Sequence, residues 1–274
     1  MINLDLNPTI VSVGSLDIGW HGIMMFLGTC TGVGVTLWLA RKVGIKDEIT
    51  FSAALWAVIF GFIGARVTNV IDNWAEYYSH NPGKILAVQE GGLGWYGCLI
   101  GGTLAVAVYS RIAKFSLGRF ADAAAPGIFA GLSIGRIGCT LNGDAIGAET
   151  SLPWGLAYTN PAAVVPYQLL GVPTHPSPVY EILWNVVMLV ILWRLWKRLT
   201  PDGSLFLVSL VLYGVGRFII SWSRAEDLVW GGPLHQSHVI SIGIVLFGVV
   251  MLIVRKTRLV KRETGPPAEL APSG

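Results

Sequence analysis

Seven long, nearly uncharged stretches constrain this chain more than any other feature. They run over 22–40, 49–65, 91–110, 123–141, 178–193, 204–222 and 239–254, with Arg136 breaking the fourth and Arg217 the sixth. A helix needs about 20 predominantly apolar residues to cross a bilayer. Charged residues make up 13% of the chain and hydrophobic ones 53%, against about 25% charged in soluble domains. The pattern predicts an all-α integral membrane protein with about seven transmembrane helices.

Orientation follows from the placement of lysine and arginine, which concentrate in short cytoplasmic loops. Alternate loops hold Arg41, Lys42 and Lys46; Arg111, Lys114 and Arg119; Arg194, Lys197 and Arg198; and Arg255, Lys256, Arg258, Lys261 and Arg262. These are fourteen of the nineteen basic residues, so the N-terminus is expected outside and the C-terminus in the cytoplasm. The first twenty residues carry Asp5 and Asp17 but no basic residue, which predicts no cleaved signal peptide. A net charge of +3 then needs no nucleic-acid partner, because the surplus faces anionic lipid. Residues 1–254 read as a single seven-helix membrane domain. Residues 255–274 are basic and then Pro-rich, around Gly265-Pro266-Pro267, and read as a disordered cytoplasmic tail that cannot bury a core. The three cysteines, Cys30, Cys98 and Cys139, fall inside spans with no CxxC spacing, so neither a disulfide framework nor a metal site is expected. Cys139 reads as a small packing residue, since apolar surroundings keep a thiol protonated.

Arg66, Lys84, Arg136, Arg217 and Arg224 break the charge rule. The four arginines converge on the outer end of the bundle. A charge within a span is costly and usually faces the bundle interior with a partner. Other polar residues gather at that depth: His21, Asn69, Tyr96, Asn142, Asp144, His175, Tyr180, Glu181, Tyr213, Glu226 and Asp227. Planar guanidinium forks match phosphate oxygens in two-pronged geometry, so the set suggests binding of a phospholipid headgroup. Each arginine taken singly also fits a snorkelling residue or half of a structural ion pair. A transporter would place its site at the midplane between repeated halves, and no repeat is visible.

Two blocks flank the arginines. The block 90–102 carries six glycines, which serve either close helix packing or backbone room for a headgroup. The block 135–147 begins as helix and unravels at Asn142-Gly143-Asp144, a turn signal. The loop 148–174 is long enough to cover a site there. His175 to Glu181 starts the fifth span, with proline and carboxylate where a helix start favours them.

The order GGLxxxGxLIGG (91–102), GRIGxxxNGxxxG (135–147), HPSxxYE (175–181) and YGxxRFII (213–220) resembles the prolipoprotein diacylglyceryl transferase family of bacterial inner-membrane enzymes. The resemblance implies transfer of a diacylglyceryl group from phosphatidylglycerol to the lipobox cysteine of a prolipoprotein signal peptide, with glycerol phosphate released and no cofactor. It implies that Arg136 and Arg217 hold the lipid phosphate. Asn142, Gly143, Gly147 and Tyr213 match motif positions, and Arg66, Asp144, His175, Glu181 and Arg224 join the expected substrate-binding set. The chain departs from the family's usual residues at His21, Tyr96, Cys139, Asp144 and Ser221. Histidine and tyrosine are exchanged between the starts of spans 1 and 3. Imidazole, with a reference pKa of about 6.5 against about 10 for phenol, suits a general base near neutral pH. His21 and Tyr96 are therefore the candidate catalytic pair beside the arginines, with His21 favoured as base. A same-fold paralogue that binds phospholipid without this reaction is the alternative.

Overall fold

A computed structural model describes residues 1–14, 16–87, 92, 94–224 and 234–259. Among these residues seven α-helices follow one another: α1 (Trp20–Arg41), α2 (Asp47–Asp72), α3 (Trp95–Ile112), α4 (Leu117–Asn142), α5 (Ser177–Leu195), α6 (Ser204–Ser221) and α7 (Gln236–Val254). All but α3 are long and apolar enough to cross a membrane, and the apolar Gly97–Ile112 part of α3 is shorter. Their outer surfaces expose Phe26, Leu55, Leu104, Ile219 and Phe247, which is stable only against lipid. The helix ends follow local chemistry. Asp47 and Glu48 sit in the first turn of α2, where negative charge meets the helix dipole. The Ser116 side chain accepts from the Arg119 backbone N–H to cap α4. At its other end α4 stops where the sequence predicts, because Gly143 takes a left-handed φ of 86°.

Glycine packing fixes which helices touch. In a bilayer the drive to associate comes from close approach rather than from water. A Cβ on Gly28 of α1 would lie 2.5 Å from the Gly131 carbonyl oxygen of α4, and one on Gly131 would lie 2.5 Å from the Gly28 oxygen. A Cβ on Gly64 of α2 would lie 2.2 Å from the Gly97 oxygen of α3. The span 3 glycines Gly97 and Gly101 therefore serve packing against α2. Leucine at Gly131 must push two backbones apart, at about 1–3 kcal/mol or more. Gly131→Leu is expected to lower the midpoint of thermal unfolding in detergent, with the exposed Gly34→Ala unchanged as control.

Both ends of the bundle are laced. At one end, Asp122 of α4 accepts from the Gly203 and Phe206 backbone N–H groups at 2.7 and 2.9 Å. Arg119 pairs with Asp202 at 3.1 Å, and Lys197 donates to the Lys42 carbonyl at 2.9 Å. The Trp38 and Trp193 rings stack 5.5 Å apart beneath the Lys42 ammonium. This is the basic end. It also carries β5 (Leu199–Thr200), paired with β6 (Arg258–Leu259) just past α7. Residues 260–274, with Lys261 and Arg262, lie outside the described residues.

The opposite end carries small strands that helical periodicity did not foretell. β1 (Ile2–Leu4) runs parallel to β4 (Leu156–Tyr158), and β2 (Thr9–Val13) forms a hairpin with β3 (Leu16–Gly19). The long loop after α4 is thus pinned by the N-terminal segment. Alternating helix direction brings the starts of α1, α3, α5 and α7 and the ends of α2, α4 and α6 to this end, where the polar residues cluster.

Candidate active site

Glu181, in the first turns of α5, is buried and gathers three guanidinium groups. Arg136 Nε approaches its Oε2 at 2.5 Å, in ion-pair contact rather than an aligned hydrogen bond. Arg217 Nη1 donates to Oε1 at 2.9 Å and Arg224 Nη1 to the same oxygen at 3.1 Å. The arginines come from the last turns of α4 and α6 and from the chain just past α6, so three helix ends must meet for the cluster to form. Buried charge on this scale is expensive and is kept where it has a task. Among the described residues, three guanidinium groups thus meet on one carboxylate at this end of the bundle.

The network continues from Arg136. Its Nη1 contacts Cys139 Sγ, one turn along α4, at 3.8 Å. Beyond the thiol, His21 Nδ1 at the start of α1 lies 3.6 Å from Asp144 Oδ2, in the turn that follows α4. The imidazole nitrogen, the sulfur and a carboxylate oxygen of this trio lie within 4.8 Å of one another. His21 comes so close to α4 because residue 138 is glycine: a Cβ there would stand 3.1 Å from the His21 Cα. Arginine cluster and histidine thus form one polar chain across α6, α5, α4 and α1.

The turn after α4 is held rigidly. Tyr158 donates to the Thr140 carbonyl at 2.7 Å, and burial pushes its phenol up from the ordinary value, so it stays a donor. Its ring packs on Gly143, and Val164 N–H donates to the Asn142 carbonyl at 2.9 Å. Gly147 N–H donates to the His175 carbonyl at 3.0 Å, and Ala148 N–H to the Ser223 carbonyl at 2.9 Å. A Cβ on Gly147 would meet the Ser223 oxygen at 2.3 Å. Gly147 therefore lets the loop bridge to Arg224 and seats that guanidinium. His175 contacts the Tyr180 hydroxyl at 3.2 Å, and Trp154 donates to the same hydroxyl at 2.8 Å.

The expected residues thus separate into groups. Arg136, Arg217 and Arg224 converge on Glu181, while His21 and Asp144 face each other beside Cys139. Asn142, Gly143 and Gly147 shape the intervening turn, and His175 belongs to the loop above it. Glu181 carries the same sign as a phosphate, so its work is to hold the guanidinium groups. Tyr213 lies one turn before Arg217 on α6, its ring centroid 6.1 Å from that of Phe129. Arg66 is engaged elsewhere: it donates to the carbonyls of Lys84, Ile85, Ala87 and Gly92 at 2.7–3.2 Å, fastening the segment between α2 and α3. A Cβ on Gly92 would collide with Asn69 Oδ1 at 2.6 Å, so this motif glycine serves the Arg66 anchor. The Tyr96 side chain, Glu226 and Asp227 lie outside the described residues.

Sequence reasoning passed over several groups at this end. Asn185, one turn after Glu181, is buried. His238, in the first turn of α7, is fully buried, its ring 4.5 Å from Trp222 and 4.9 Å from Phe218. Reading the seventh span from residue 239 left that histidine just outside it. Tyr158 and Trp154 sit in a loop whose pairing with the N-terminus is non-local, and no local pattern marks it.

A family model described as prolipoprotein diacylglyceryl transferase matches residues 8–254. A protein of Dehalococcoides mccartyi named phosphatidylglycerol–prolipoprotein diacylglyceryl transferase is 38% identical over 256 residues, covering 93% of this chain and 96% of the relative. Relatives of the same name from Clostridioides difficile and Listeria innocua are 34% and 31% identical, covering 86% and 93% of this chain and 90% and 91% of their own lengths.

Proposed function

The chain belongs to the prolipoprotein diacylglyceryl transferase family, and from that premise we propose how its own residues carry the transfer of a diacylglyceryl group from phosphatidylglycerol to a prolipoprotein cysteine. The observation that carries the reading is the convergence of three arginines on one buried carboxylate. In the reaction the cysteine sulfur forms a bond to the terminal glycerol carbon of the diacylglyceryl group, and the bond from that carbon to the phosphate oxygen breaks. Glycerol phosphate leaves with the electron pair. The phosphodiester begins with one negative charge and leaves as a monoester that can carry two. Three converging guanidinium groups stabilise the leaving group, whose charge grows, more than the bound lipid. That difference is what accelerates a step.

His21 receives the proton of the attacking thiol, and Asp144 steadies the imidazolium as it forms. The 3.6 Å approach of the two groups and the link through Cys139 to Arg136 support this assignment. Glu181 holds the guanidinium groups in place before the lipid arrives, so little reorganisation remains for the chemical step. The exposed apolar flanks of the bundle let the acyl chains remain in lipid while the headgroup enters the polar end.

The same reading sets the arginine end outside the cytoplasm and the basic end within it, in the bacterial inner membrane, with residues 1–254 as one membrane domain and 255–274 as a cytoplasmic tail. Arg41, Lys42, Arg119, Lys197 and Arg255 sit at the basic end, which supports that orientation. A reporter enzyme fused after Arg262 is expected to read cytoplasmic and one inserted at Tyr167, an exposed loop residue, external; the opposite pair of results reverses the topology.

The reaction itself is tested by glycerol phosphate release from phosphatidylglycerol vesicles. Release that requires a lipobox peptide with a free cysteine supports transfer. Equal release without peptide would mean hydrolysis and sink the reading.

A further inference from the structure

We infer that His21, Cys139 and Asp144 form a binding site for a borderline-soft divalent cation of the zinc type. The three side chains supply one imidazole nitrogen, one sulfur and one carboxylate oxygen, and these ligand atoms lie within 4.8 Å of one another. Zinc is bound by just these donors, at about 2.0–2.3 Å and in tetrahedral geometry, which sets neighbouring ligand atoms about 3.5 Å apart. The His21 Nδ1 to Asp144 Oδ2 distance is already 3.6 Å. The thiol need close by only about an ångström.

Two further observations point to a ligand. His21 Nδ1 and Asp144 Oδ1 are both shielded from solvent and have no hydrogen-bond partner. Buried polar atoms are rarely left so, and a bound cation would satisfy both. Cys139 is itself buried, between the Arg136 guanidinium at 3.8 Å and the other two ligands. A thiolate and a carboxylate carry two negative charges, so a divalent ion makes a neutral set and the neighbouring Arg136 is not opposed by a net positive centre. Three protein ligands leave a fourth position for water. The ligands come from α1, α4 and the turn after it, which is why no sequence spacing announced them.

Metal capture is a second state of these side chains: with a cation on Nδ1, His21 takes no proton, so bound Zn²⁺ is expected to slow the transfer proposed above, and the site has its own readout. Co²⁺ added to the full chain in detergent is expected to give a near-ultraviolet thiolate-to-cobalt charge-transfer band, displaced by Zn²⁺. The band should persist in the Cys30→Ser/Cys98→Ser variant and vanish in Cys139→Ser. Asp144→Asn, a near-isosteric change, should weaken Co²⁺ binding by about tenfold or more. Absence of a band in the natural protein, or a band that survives in Cys139→Ser, would overturn the site. Lipid-free titration keeps this outcome separate from the fate of the transfer reaction.

Discussion

Replacing Arg136 or Arg217 by lysine is expected to lower diacylglyceryl transfer by about 10²–10³-fold, the loss that follows removal of one preorganised donor to a developing anion. Both residues meet the carboxylate through a guanidinium nitrogen, and Arg136 uses a second one. Arg136 meets Glu181 through Nε while another of its nitrogens reaches Cys139, and Arg217 meets the same carboxylate through Nη1. Lysine keeps the charge but offers one compact centre, so it can satisfy Glu181 or the lipid phosphate but not both. The loss should appear in kcat and in kcat/KM alike, since the missing contact matters most as the phosphate charge grows. The check is initial-rate transfer to a lipobox peptide with variants matched for folded protein. Undiminished transfer by either lysine variant would remove that residue from the phosphate site.

Loss of His21 is expected to be comparably severe. His21→Ala should slow transfer by about 10²–10⁴-fold, the usual worth of a positioned general base. Asp144→Asn should fall between that variant and the natural protein, because the carboxylate acts through the imidazole. Tyr96→Phe should cost much less, since the exchange of histidine and tyrosine between the starts of α1 and α3 leaves the imidazole on α1. The diagnostic is the dependence on pH. With His21→Ala the residual rate should climb with hydroxide as the thiol ionises without help. A Tyr96→Phe variant slower than His21→Ala would transfer the proton role to the phenol.

Much of this could be read from the chain because membrane solvent leaves so few options. Seven apolar runs coincide with the seven α-helices among the described residues, six of them long and apolar enough to cross a membrane, and the turn at Asn142-Gly143 marks the end of α4. The shared depth of Arg136, Arg217 and Arg224 follows from alternating helix direction alone. Their convergence on Glu181 does not, because rotation of each helix about its axis is set by contacts such as Gly28 with Gly131, which involve partners a hundred residues away. For the same reason Arg66, at the same depth, could not be told from its neighbours, although its guanidinium is committed to the carbonyls of the segment between α2 and α3. The six-glycine block fits either close helix packing or room for a headgroup on sequence alone. In the structure its described members serve helix approach and the Arg66 anchor. The pairing of β1 with β4 lies beyond any local pattern, since it joins residues 2–4 to 156–158.

The central claim is that the arginine cluster and His21 together move a diacylglyceryl group onto a thiol, and the mass of the acceptor peptide tests it most directly. Purified protein is incubated with phosphatidylglycerol of a single acyl composition and a lipobox peptide, and the peptide is weighed. The expected result is a peptide heavier by one diacylglyceryl group on its cysteine, absent when that cysteine is replaced by serine. Phosphatidylglycerol that binds to the protein while the peptide mass stays unchanged would contradict the account, and would leave the chain a phospholipid-binding relative of the enzymes it resembles.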